Sequence, residues 1–208
     1  MGDAGCQIPF LDLNTMKISH SLLLTTALVL CSISAAAQHL QAGDLLFHVK
    51  ERPTAITQVR SDLIEHVAIA LNADSIIEAN HRGVVVTPID SLPRDGHYLI
   101  GRLRCPFDVQ RTLDKARRYL GRPYDYLFLA GDDEIYCSEL VLLSFVNEQG
   151  EAIFRPVPLS FCDAAGSLID YWQQYYAARG MEVPEGQPGS HPSELAKRAE
   201  VRIVGKLP

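Results

Sequence analysis

The hydrophobic pattern changes period near residue 108: upstream the apolar residues fall in short β-branched runs, and downstream they recur at helical spacing. Gly43-Asp44 reads as a turn into a strand, Leu45-Leu46-Phe47-His48-Val49. Residues 51–62 carry Pro53 and several polar side chains and are expected to form a loop or a short helix. The run 64–71 is rich in Val, Ile and Leu and ends at Asn72-Ala73-Asp74; Ser75-Ile76-Ile77-Glu78-Ala79 follows, which predicts a β-hairpin. Further strands are expected at 84–87, stopped by Pro88, and at 98–103. Beyond the change of period, Asp108 is placed to cap a helix through Val109, Leu113, Ala116 and Leu120, with Gly121 as its stop before Pro123. A second helix is predicted over 137–147, with Leu140, Val141, Ser144 and Phe145 at core spacing and Gly150 closing it. A third, over 164–178, places Leu168, Trp172, Tyr175 and Tyr176 on one face as core or rim residues. The stretch 181–192 is rich in Pro and Gly; Ser193 is expected to cap a short helix to Ala199, and 201–204 to return as a strand. Strands followed by helices make the α+β class the natural reading, with an antiparallel sheet partly covered by helices.

Composition narrows the function classes. A chain of 208 residues with 47% apolar and 21% charged residues is sized for one globular domain. A formal net charge of -6 without Lys/Arg clusters argues against a nucleic-acid partner, which needs a basic surface to displace counterions. The N-terminus has the organisation of an export signal starting at Met16. Lys17 supplies the basic residue, 22–33 the apolar region, and Ala35-Ala36-Ala37 the cleavage site. Residues 1–37 are therefore expected to be an extension and signal peptide, with a single domain at 38–208, secreted. The apolar run is shorter than the roughly 20 residues of a spanning helix. A lipoprotein reading through Cys31 is disfavoured by the bulky Leu30 before it. Removal of the leader leaves Cys105, Cys137 and Cys162 in an oxidising compartment. A Cys105–Cys162 pair would leave Cys137 as the free thiol; sequence does not fix that connectivity.

Three residues then become candidates for chemistry. Cys137 opens a helical pattern, where unpaired backbone N–H groups favour a thiolate; the same local pattern equally fits a buried structural cysteine. Among the histidines, His66 lies inside the strand pattern 64–71, sharing a face with Ile64, Ala68 and Ala70. A hairpin centred at Ala73 sets His66 opposite Asn80 with Glu78 diagonal to it, and a slightly earlier centre sets Glu78 directly across, so either can orient the ring. A metal site on His66, Glu78 and His81 is the rival chemistry, but their spacing matches no common ligand pattern, and no metal or cofactor is expected. A serine triad lacks its G-x-S-x-G elbow.

Gly43-Asp44-Leu45-Leu46-Phe47, Glu65-His66-Val67-Ala68-Ile69, Ile77-Glu78-Ala79, Gly121-Arg122-Pro123-Tyr124-Asp125 and Tyr136-Cys137-Ser138-Glu139-Leu140 occur in the order seen in YiiX-like proteins. This resemblance covers roughly residues 40–204. It implies a circularly permuted relative of the NlpC-type, papain-fold cysteine amidases, with a barrel-like antiparallel sheet and the catalytic cysteine at a helix N-terminus. Permutation would explain why the histidine precedes the cysteine. The resemblance maps the nucleophile to Cys137, the base to His66 and the orienting residue to Glu78. It brings Tyr124 near the site, as an oxyanion donor or as a turn residue. It departs from the pattern at Ala68, where relatives often have Gly. The implied activity is amide hydrolysis of cell-wall peptides in the periplasm, with a hydrolase or acyltransferase acting on lipid or N-acyl amides, or a non-catalytic binding module on the same fold, as alternatives.

Overall fold

Leu45, Phe47, Val67, Ile69, Ile77 and Ala79 are packed on one side of a sheet, and Leu46, Ala68, Ala70 and Ile76 on the other, so the period-2 alternation serves two apolar layers. The structure, a computed structural model, describes residues 39–59, 62–129, 131 and 133–208. The expected leader at 1–37 lies outside the described residues. Residues Gln38–Pro208 form one compact unit. Its main sheet contains β1 (Leu45–Lys50), β2 (Ile64–Ala70), β3 (Ser75–Asn80), β4 (Gly83–Pro88), β5 (Gly96–Leu103) and β8 (Val201–Lys206). They run in the spatial order β4-β3-β2-β1-β5-β8, and every neighbouring pair is antiparallel. The architecture is thus α+β. The barrel-like closure that the resemblance implied is not formed: the sheet is open, with β4 and β8 as its edges.

Helices close one face. A short α1 (Ala55–Gln58) follows β1; α2 (Val109–Arg117) and α3 (Cys137–Ser144) set Leu113, Ala116, Leu140, Val141 and Phe145 against the sheet. Asp108 caps α2 as expected, its carboxylate accepting the Arg111 N–H. That helix ends at Arg117, so Leu120 falls in the following turn and is exposed, against the expectation of a core position. Two-residue strands β6 (Val157–Pro158) and β7 (Pro188–Gly189) pair outside the main sheet. Between them, α4 (Asp170–Ala177) starts six residues later than its periodicity suggested. The reason is Asp163, whose Oδ1 accepts the N–H groups of Ala165 and Ser167, both at 2.9 Å, and so holds 163–167 in a turn. The last helix, α5 (Pro192–Leu195), is capped by His191 rather than Ser193, with Pro192 at its first position. Cys105, Cys137 and Cys162 are all free thiols, so the Cys105–Cys162 pair is not made.

Two local features set up the site. The β1–β2 ladder pairs His48 with His66 and then Val49 with Ile64, passing over Glu65. This bulge breaks the alternation, so Ile64 joins the helix-side core instead of sharing a face with His66. The β2–β3 ladder pairs Ile69 with Ile77 and Ala70 with Ile76, a register centred on Ala73; beyond Ile69 the named pairs of β2 are with β1.

Candidate active site

Glu78 crosses the space beyond that short ladder and meets His66, its Oε2 lying 2.7 Å from Nε2 of the ring. The register is the one that sets His66 opposite Asn80, yet the carboxylate makes the contact, because the diagonal neighbour has the longer reach. Asn80 instead holds Glu78: its Nδ2 donates to Oε1 at 2.8 Å, and Thr87 Oγ1 donates to the same oxygen at 2.6 Å. With Oε1 saturated, Oε2 is left to the imidazole. Glu78 is buried, which alone would raise its pKa; the hydrogen bond and charge of His66, with the bonds from Thr87 and Asn80, overcome this and lower it from 4.5 to about 2.

Cys137 is the first residue of α3, and the helix is buried along nearly its whole length, as its apolar sequence requires. Tyr136, just before it, is fixed on two sides. Its N–H donates to Glu139 Oε2 at 3.4 Å, and its hydroxyl accepts the Ser190 N–H at 3.1 Å. Cys137 lies within electrostatic range of the His66 ring. Since Nε2 is engaged by Glu78, Nδ1 is the ring nitrogen left for Cys137. Burial would lower the His66 pKa, but Cys137, followed by the hydrogen bond and charge of Glu78, raises it from 6.5 to about 10. The imidazole is therefore held as an imidazolium, with the Glu78 carboxylate bonded to it.

Tyr124 arrives through backbone pairing rather than through a helix or a long strand. Ile135 N–H donates to Pro123 O at 2.9 Å and Asp125 N–H to Ile135 O at 3.3 Å, which lays 123–125 alongside the approach to Cys137. The same segment is pinned to β4 by Val84 N–H to Arg122 O at 2.8 Å. That approach needs Gly83: its φ is +86°, and a Cβ there would stand 2.3 Å from Arg122 O. The Tyr124 hydroxyl lies within electrostatic range of Cys137, and its pKa is raised well above the ordinary value, first by burial and then by Cys137, so it stays a donor. Asp125 is a loop organiser: its carboxylate accepts the N–H groups of Leu127, Phe128 and Leu129. The Gly43-Asp44 motif is also structural, because Asp44 binds Arg102 through both oxygens at 2.7 Å.

A small pocket of about 40 Å³ opens beside Cys137, walled by Ile56, Val59, Phe128, Leu159, Phe161 and Trp172. Phe128 holds a left-handed backbone, φ +54°, that turns its ring against Tyr136 and Trp172. Trp172 donates Nε1–H to Ala55 O and Tyr176 its hydroxyl to Leu127 O, so α4 ties the pocket walls together. A wider polar trough on the other side carries His66, Glu78, Tyr98 and Tyr124. Thr87 and the pocket walls were invisible as site residues in the sequence, since each reads only as part of a strand, loop or helix face.

Residues 39–198 match the profile of a family of permuted papain-like amidase enzymes that includes YaeF and YiiX. The chain belongs to this family. As a permuted papain-like amidase it is an enzyme of the cysteine peptidase and amidase class. It is 28% identical over 160 residues to the uncharacterized protein YiiX of Escherichia coli (strain K12), covering 68% of this chain and 75% of that one. The crystal structure of metalloprotein yiiX from Escherichia coli O157:H7 superposes with a TM-score of 0.65 at 24% identity, over 82% of this chain and 97% of that one. The metal is a property of that Escherichia coli protein. In this amidase, no group of three or more His, Cys, Asp or Glu side chains among the described residues could hold a metal ion. The His66, Glu78 and His81 alternative does not form such a group.

Proposed function

We propose that this amidase cleaves the amide of an apolar acyl group through a Cys137–His66–Glu78 triad. The observation that carries the reading is the 2.7 Å bond of His66 to Glu78, with Cys137 within electrostatic range of the same ring at the buried start of a helix. Cys137 attacks the amide carbon and its sulfur forms the C–S bond. The carbonyl π electrons move to oxygen, where the Cys137 N–H and the Tyr124 hydroxyl would stabilise the anion. On collapse the C–N bond breaks, and the His66 imidazolium gives its proton to the departing amine. Water, deprotonated by the neutral ring, then hydrolyses the thioester and regenerates Cys137.

The two cavities divide the substrate. The leaving nitrogen must lie within reach of His66, and His66 lines the trough; the acyl carbon must lie at Cys137, which lines the apolar pocket. The acyl group therefore enters the pocket and the amine half follows the trough. The aliphatic and aromatic walls favour an N-acyl amide over a cell-wall peptide with a polar residue on the acyl side. At about 40 Å³ the pocket has room for only a short acyl chain unless its walls move apart. Hydrolysis of a series from acetyl to dodecanoyl amides is the test: kcat/KM is expected to rise with chain length and then level off. A strict preference for polar aminoacyl groups would return the reading to a peptide.

Tyr124→Phe is expected to lower kcat by about 10²–10³-fold with little change in KM, as for loss of one oxyanion donor. An unchanged kcat would leave Tyr124 as a turn residue. Secretion is part of this proposal and rests on the leader pattern at 16–37; an exported protein starting at Gln38 is the expected N-terminus.

A further inference from the structure

The trough along which the amine half would lie has two permanently charged cations on its walls, Lys50 and Arg82, and they are committed differently. Lys50 is neutralised by Glu65, at 3.2 Å, and by Asp95. His48, on the same wall, faces Asp95 at 3.3 Å. The two carboxylates that line the trough are likewise spoken for, Glu65 by Lys50 and Glu78 by His66. Arg82 meets no carboxylate among the described residues. Its Nη2 donates to Thr87 Oγ1 at 3.2 Å, and that hydroxyl donates in turn to the Glu78 carboxylate bonded to His66.

The residue is exposed, and its guanidinium is tethered at one point on a fixed backbone. Arg82 lies in the tight β3–β4 turn, its N–H donating to Asn80 Oδ1 at 2.9 Å, and Gly83 follows with positive φ. One edge of the fork is used by Thr87, while the remaining N–H groups meet no protein acceptor among the described residues. A planar fork of donors with a fixed base and an uncompensated charge matches carboxylate or phosphate oxygens.

We propose that Arg82 is the anion-binding subsite for the amine half, so that the substrate is an N-acyl amine whose amine half carries a carboxylate or a phosphate. This rests on the reading above that Cys137 receives the acyl group and that the amine half lies along the trough. Arg82 would select such substrates chiefly through KM, since the anion sits at a distance from the reacting bond and is bound equally before and during the reaction.

Binding to the Cys137→Ala variant separates this subsite from turnover. Calorimetry would compare N-hexanoyl-glycine with N-hexanoyl-glycinamide, and N-hexanoyl-phosphoethanolamine with N-hexanoyl-ethanolamine. At least one anionic member is expected to bind about 10-fold or more tightly than its neutral counterpart, and which one does so distinguishes carboxylate from phosphate. Adding Arg82→Gln, which keeps a donor for Thr87 and removes the charge, is expected to abolish that preference; Arg82→Lys is expected to retain part of it. Thermal unfolding of each variant checks that it is folded. Equal binding within both pairs, no binding of any of the four at millimolar concentration, or a preference that survives Arg82→Gln would overturn the subsite. Hydrolysis of the same four amides by the protein with Cys137 intact tests the amidase reading by itself. Turnover without anion preference overturns the subsite alone, and anion preference without turnover supports the subsite while counting against the triad.

Discussion

Cys137→Ala is expected to reduce amide hydrolysis on the order of 10⁴-fold or more while leaving the fold intact. The substitution removes one sulfur from the first residue of α3 and leaves the backbone anchors of that turn in place, namely the Glu139 contact to Tyr136 N–H and the Ser190 contact to the Tyr136 hydroxyl. Site-resolved labelling with iodoacetamide gives a companion readout. Cys105 is exposed and Cys137 buried, so on access alone Cys105 should label first. The imidazolium beside Cys137 is expected to reverse that order near neutral pH, because it stabilises the nucleophilic anion. Labelling of Cys105 with an inert Cys137, or hydrolysis that survives in Cys137→Ala, would sink the nucleophile assignment and favour a binding module on the same fold.

Glu78→Gln is expected to lower kcat/KM by roughly 10²–10⁴-fold and to move the alkaline limb of the pH profile to lower pH. The direction follows from what holds the proton on His66. Burial opposes the charged ring, and Cys137 and the Glu78 carboxylate outweigh it, raising the pKa from 6.5 to about 10. A neutral amide removes the charge of that carboxylate, so the ring loses its proton sooner. Stability should respond in the same sense. The His66 contribution is fully present below 6.5 and lost as pH rises through about 10; the Glu78 contribution is present above 4.5 and lost as pH falls through about 2. Thermal unfolding of the variant should therefore lose the acid-side dependence due to Glu78 and lose stabilisation on the alkaline side at a lower pH. A profile unchanged at both ends would mean that Glu78 does not act on the ring.

Local chemistry made much of this molecule legible from its residues. The apolar runs of β1 to β5, the Asp108 cap and the helix opening at Cys137 follow from period and capping, which act over a few residues. The alternation on β2 placed His66 correctly beside Ala68 and Ala70, but the bulge at Glu65, which moves Ile64 to the other face, depends on how β1 pairs with it. The hairpin register left Glu78 and Asn80 as rivals, since a strand pattern fixes faces and not side-chain reach; the folded structure gives the ring to Glu78 and makes Asn80 its support. Likewise the late start of α4 was decided by Asp163, whose carboxylate competes with helix hydrogen bonding over only one turn.

By itself the sequence determined the class of fold and brought forward Cys137, His66 and Glu78 as candidates, in an order that the family resemblance accounts for by permutation. Only tertiary structure decided what surrounds them: an apolar pocket assembled from α1, the loop around Phe128, the segment after β6 and α4, and a polar trough bearing Arg82. The physical reason is range. Strand period, helix capping and turn residues are set by neighbours a few positions apart, whereas the pocket joins side chains more than one hundred residues apart, Ile56 to Trp172, whose proximity exists only once the chain has packed.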